Sequence, residues 1–192
     1  MATSAATIYS MDCGDVEIPS GGQVSLQKVN LSTGAQYGGI DCLPFQGNAV
    51  GQGNSQSAIW DFVLPRGVQG FTATTGIKIV VSWFGKKQSQ AVAWAASFQL
   101  NGQTDLPAPA VENFPVLGSA NEIIAVGSCN ATTYAGLVQT TITLTLANIK
   151  NLQVTSPAAG DQVRFRLRRA LENAGDTLTD FAYVTMLEAY DY

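Results

Sequence analysis

Val163-Arg164-Phe165-Arg166-Leu167-Arg168-Arg169 alternates apolar and basic residues through six consecutive positions. A helix would scatter these side chains around its axis. A strand sends Val163, Phe165 and Leu167 to one face and Arg164, Arg166 and Arg168 to the other. The run is therefore read as a strand with one face in an apolar core. Working outward, strands are read at 56–64, 77–84, 90–100, 122–128, 137–146, 162–170 and 181–190, each alternating or rich in β-branched and aromatic residues. No stretch of about ten residues sustains the 3.6-residue period of an amphipathic helix, and only 147–152 is read as a short helical turn.

Turn chemistry separates these strands: Pro65-Arg66-Gly67, Gly85-Lys86-Lys87, Asn101-Gly102, the segment 156–161 and Asn173-Ala174-Gly175-Asp176. Short strands at this spacing, with both sheet edges needing protection, predict an all-β fold, a two-sheet antiparallel β-sandwich of jelly-roll type. Its expected core is Trp60, Phe62, Val81, Trp83, Trp94, Phe98, Phe165 and Leu167.

Residues 1–55 have a different texture. Gly21-Gly22, Gly38-Gly39 and the stretch from Gly47 to Gly53 interrupt sparse apolar groups, among them Ile8, Tyr9, Val24, Leu26, Leu43 and Phe45. Such a segment cannot form a core alone. The expected organisation is an extended N-terminal arm over 1–55, with a strand at 23–29, followed by the sandwich domain at 56–192. An arm ordered by packing on a partner makes Ile8, Tyr9, Leu43 and Phe45 candidate partner-binding residues. The alternative is that the segment supplies edge strands to its own sandwich.

Charged residues make up only 12% of the 192, against about 25% in an ordinary globular domain, while hydrophobic residues stand at 46%. A polar but weakly charged surface is poorly protected against association, which points to a subunit of an assembly. The net charge of −4 argues against nucleic acid as a partner. Cys13, Cys42 and Cys129 are too few and too far apart for a disulfide framework or a zinc knuckle, and are read as free thiols of a reducing compartment. Neither a signal peptide nor a membrane-spanning stretch is expected. The sequons at Asn30 and Asn130 carry little weight without a secretion signal.

The chain contains no histidine. That excludes Ser-His-Asp and Cys-His catalysis and the common zinc sites. A glycosidase would need two carboxylates about 5–10 Å apart, and Asp61, Asp161, Glu172, Asp176, Asp180 and Glu188 are the acids to weigh. Most of them fall in or beside expected loops. Asp176-Thr177-Leu178-Thr179-Asp180 lacks the ligand density of a calcium loop and is read as a side-chain-capped turn. No catalytic residue, cofactor or metal is implied. The arginine row remains: Arg164, Arg166 and Arg168 either pair internally with acids on neighbouring strands, Asp61 or Glu188, or meet an acidic partner. The internal ladder is the simpler expectation.

Four landmarks in order complete the reading: Trp60-Asp61-Phe62-Val63-Leu64-Pro65, then Ala93-Trp94-Ala95-Ala96-Ser97-Phe98, then Gly160-Asp161-Gln162 leading into the arginine run, then Asp176-Thr177-Leu178-Thr179-Asp180. Together they resemble the β-sandwich domain of accessory virion proteins of tailed bacteriophages, over about residues 56–192. The resemblance implies a non-enzymatic virion protein, commonly trimeric, made in the host cytoplasm. Its leading form is a capsid decoration or cement protein that binds the major capsid protein and copies of itself. A head or tail fibre module recognising the host surface, or a carbohydrate-binding sandwich stacking sugars on exposed Trp or Tyr, are the alternatives.

Overall fold

The computed structural model describes residues 7–18, 24–29, 39–47, 56–63, 76–101, 122–129, 136–145 and 160–190. Their strands are β1 (Thr7–Asp12), β2 (Gln27–Val29), β3 (Ile40–Phe45), β4 (Ser57–Val63), β5 (Gly76–Phe84), β6 (Ala91–Asn101), β7 (Ile123–Ser128), β8 (Val138–Thr145), β9 (Gln162–Arg169) and β10 (Ala182–Tyr190). They form two antiparallel sheets packed as a β-sandwich. One runs β2-β3-β10-β5-β8, with β1 also on β10, and the other runs β4-β9-β6-β7.

The strands from β3 onward pair in a nested series. β3 pairs with β10, β4 with β9, β5 with β8 and β6 with β7. A long hairpin folded over on itself has this connectivity. The pairs β10–β5 and β6–β9 then join the nested hairpins side by side within each sheet.

Alternation places the core. Val163, Phe165 and Leu167 of β9 point inward and are at most 2% exposed. Trp60, Trp83 and Trp94 are equally buried, with Trp94 edge-on to Phe45 at 5.2 Å and to Trp83 at 5.8 Å between ring centroids. The Trp83 indole donates to Thr140 Oγ1 at 2.9 Å, which removes the cost of leaving its N–H dry. Gly160, at φ 95°, occupies a left-handed conformation that suits glycine just before β9.

The described residues of the first 55 supply strands to the sandwich itself, the alternative to an extended arm. β1 and β3 lie end to end along one side of β10, with Met11 opposite Leu187 and Leu43 opposite Val184. Met11, Cys13, Val24, Leu43 and Phe45 belong to the same buried cluster as the tryptophans. In the described residues this segment is therefore part of the sandwich and its core. The strand expected at 23–29 is shorter, Gln27–Val29, and pairs with β3. The helical turn at 147–152, the sequon residues Asn30 and Asn130, and the Phe98 side chain lie outside the described residues.

Candidate functional site: the arginine row and the sheet edges

β9 lies between β4 and β6, so its outward arginines are flanked on both sides by strand neighbours. Arg164 sits opposite Asp61 in the register and donates to it through Nε at 3.1 Å, while its Nη2 reaches Glu17 at 2.7 Å. Arg166 donates to Glu122 Oε1 at 3.3 Å. Arg168 grips both oxygens of the same carboxylate, at 2.8 and 2.6 Å, and bonds to Glu172 as well. The row is an internal ladder. Glu188, expected as a possible rung, lies in β10 of the other sheet; Glu17, Glu122 and Glu172 are the rungs that the sequence reading missed.

Burial grades the ladder. The Arg164 partners are about half exposed, but the Arg168 and Glu122 side chains are each only 1% exposed. Desolvation alone would pull the Arg168 guanidinium down, yet its bonds to Glu122 and Glu172 and their charges raise it above its ordinary value. The bond to Arg168 in turn holds Glu172 below the usual carboxylate range.

Arg169 breaks the alternation and faces the interior, fully buried. It donates to both carboxylate oxygens of Asp176, at 2.9 and 2.7 Å, and to the carbonyls of Asp180, Phe45 and Leu178. Asp176 also accepts the Ala93 amide, and Thr177 Oγ1 the Ala91 amide. One guanidinium thus ties the turn between β9 and β10 to β3 of the opposite sheet. The segment 176–180 is a loop fastened to β6 by the Asp176 and Thr177 side chains, and the turn itself lies just before it, at 171–175.

The four arm residues weighed as partner contacts divide. Leu43 and Phe45 are fully buried in the chain's own core and cannot face a partner; their apolar character answers to β10 and Trp94. Tyr9 is 39% exposed with its ring stacked on Phe62 at 5.5 Å. The Ile8 backbone runs in β1, and its side chain lies outside the described residues.

The acids weighed for glycoside hydrolysis are largely committed. Asp61, Glu172 and Asp176 are each held by an arginine. A general acid needs a carboxyl raised toward neutrality, and Glu172 is shifted the opposite way. With all three tryptophans buried, no indole face is open to stack a sugar.

Several exposed apolar side chains stand at sheet edges, Ile124 and Val126 on β7, Leu137 just before β8 and Val63 at the end of β4, while Tyr9, Leu26, Ile40 and Phe181 are exposed at or beside β1, β2, β3 and β10. β7 and β8 are edge strands of opposite sheets that come together along one side of the sandwich. Neither carries a charged residue.

Neither a family model nor a curated protein matches the chain. A similar solved structure is an exo-β-1,3-galactanase from Phanerochaete chrysosporium with galactose, at a TM-score of 0.45 and 10% identity. The likeness covers 98% of this chain, which spans 30% of that one.

Proposed function

We propose that this chain is a non-enzymatic structural subunit of a bacteriophage virion, a decoration or cement protein that binds the major capsid protein and other copies of itself. The observation that carries the reading is the contrast between its two kinds of surface chemistry. The arginine–carboxylate pairs are satisfied within the chain, whereas apolar side chains stand exposed on uncharged edge strands. A protein arranged in this way has little polar machinery left for a substrate and an edge suited to protein contact. The nested strand pairing supports a jelly-roll assignment, an architecture used by viral capsid and lectin domains alike. The virion assignment itself rests on the sequence landmarks in and around β4, β6, β9 and β10.

Cementing requires only a standard interface of about 1,200–2,000 Å² across subunit boundaries, within reach of a chain of this size. The test is quantitative mass spectrometry of purified particles from the phage or prophage encoding the chain. Copy numbers in the hundreds support decoration, and about a dozen would move the protein to a fibre or tail part. Absence from particles overturns the virion reading.

A further inference from the structure

The exposed edges differ in how they are guarded. β2 carries the exposed pair Lys28–Asp41 across its contact with β3. β4 is covered in part by the Glu17–Ile59 bridge and is flanked by the charges of Asp61 and Glu17. β8 presents Gln139 and threonines outward. β7, Ile-Ile-Ala-Val-Gly-Ser, has no proline and no charge, and ends the β4-β9-β6-β7 order among the described residues. Natural sheets normally block such an edge with lysine, proline or a bulge.

The nearest charge in sequence is Glu122, immediately before β7, and it cannot guard the edge. Its carboxylate is turned away and buried under Arg166 and Arg168. The ladder therefore leaves β7 electrically neutral. On the outward face, in register with Ala95 and Ala93, stand Ile124 at 38% and Val126 at 51% exposure.

We propose that β7 is a self-association edge, at which two copies of this chain pair their β7 strands antiparallel about a twofold axis through Ala125, joining their β4-β9-β6-β7 sheets into one. The occupant follows from the spacing of the side chains. In an antiparallel pair, directly opposite residues share a face. A twofold axis at Ala125 sets Ile124 of each copy opposite Val126 of the other, so both exposed side chains of each copy are covered reciprocally. Because the strand is neutral, no like charges meet, and the pairing is isologous and closed. Six residues give an edge about 20 Å long, at the low end of specific interface sizes, so the dimer is concentration-dependent in the micromolar range. The inference rests on the reading of the chain as an assembling subunit and replaces the expected threefold association with a twofold one. It does not depend on where the protein sits in a particle.

The test is sedimentation velocity on the full chain from about 1 to 200 µM, with Val126→Lys and the double variant Ile124→Glu/Val126→Lys, each beside a thermal melt. The unmodified chain is expected to shift from monomer to dimer across this range. Val126→Lys faces a partner isoleucine and should weaken dimerisation at least about tenfold with the melt unchanged, since its side chain is half exposed. In the double variant the glutamate of each copy meets the lysine of the other, so dimerisation should return and become salt-sensitive. A chain that stays monomeric throughout, a trimer, or a dimer indifferent to Val126→Lys overturns the proposal. Particle copy number reports attachment separately, so either reading can fail alone.

Discussion

At the scale of single residues, adjacent arginines do different work because a strand turns them to opposite faces. Arg168 closes the outer ladder and Arg169 pins the turn at the sandwich's end. Replacing Arg169 by Ala removes the cation from the nearly buried Asp176 carboxylate, leaving it the Ala93 amide, and takes the guanidinium donor from three backbone carbonyls. Breaking a buried pair in this way costs about 3–5 kcal/mol, and the measurement is chemical denaturation of Arg169→Ala beside Arg164→Gln. Arg164→Gln, whose partners are half solvated, should cost only about 0.2–1 kcal/mol.

Glu172 is held below its usual value in the fold, so its contribution is fully present above the unfolded value of 4.5 and is lost as pH falls through the lower folded value. The gap in melting temperature between the unmodified chain and Glu172→Gln should be open near pH 6–7 and close as the solution is taken below about pH 4.5. The thiols behave in the opposite sense. Burial, reinforced by Cys42 nearby, raises Cys13 from 9.0 to about 12, and its Sγ–H donates to the Val184 and Thr185 carbonyls at 3.2 Å. Burial likewise raises Cys42 to about 11. Both contributions are intact below pH 9 and lost between there and the folded values, so native Cys13 should resist alkylation at pH 8 while the unfolded chain reacts within minutes. Rapid labelling of Cys13 in the native protein at that pH would refute its burial.

At the scale of elements, period-two patterning identified the strands from β4 onward because each buries one face against the opposite sheet, as β8 does with its alternating buried and exposed positions. β1 and β3 were invisible to that signal. β3, Ile-Asp-Cys-Leu-Pro-Phe, contains a proline and has four consecutive buried residues, so nothing in it alternates. It is a strand because β10, more than 130 positions away, offers it an edge. The arginine ladder was legible as a row and its Asp61 rung lies in the neighbouring strand. Glu122 was not legible: it lies 46 positions from Arg168, and only the β6–β7 and β6–β9 pairings bring the two together. The doubled arginine at 168–169 did carry a signal, since the residue after an outward position must point inward. An arginine there announces a buried network rather than a surface charge.

At the scale of the whole molecule, the first 50 residues decide whether the sandwich can stand without its N-terminal segment. Removing them deletes β1, β2 and β3, and with them every described partner of β10 on one side. Met11, Cys13, Leu43 and Phe45 leave the core, Trp94 loses its edge contact with Phe45, and Arg169 loses the Phe45 carbonyl. Truncating one large buried side chain costs about 2–5 kcal/mol, and a domain of this kind has about 5–15 kcal/mol in all. Losing Met11, Leu43 and Phe45 together is therefore comparable to the whole of the available stability, before the unpaired backbone of β10 is counted. A chain lacking residues 1–50 should retain β-type far-ultraviolet dichroism at most, lose its cooperative thermal transition and bind a hydrophobic dye, as loosely packed states do. A truncated chain that still melts cooperatively within a few degrees of the full protein would show that β10 holds its place without these strands, and would restore the segment to the role of a detachable arm.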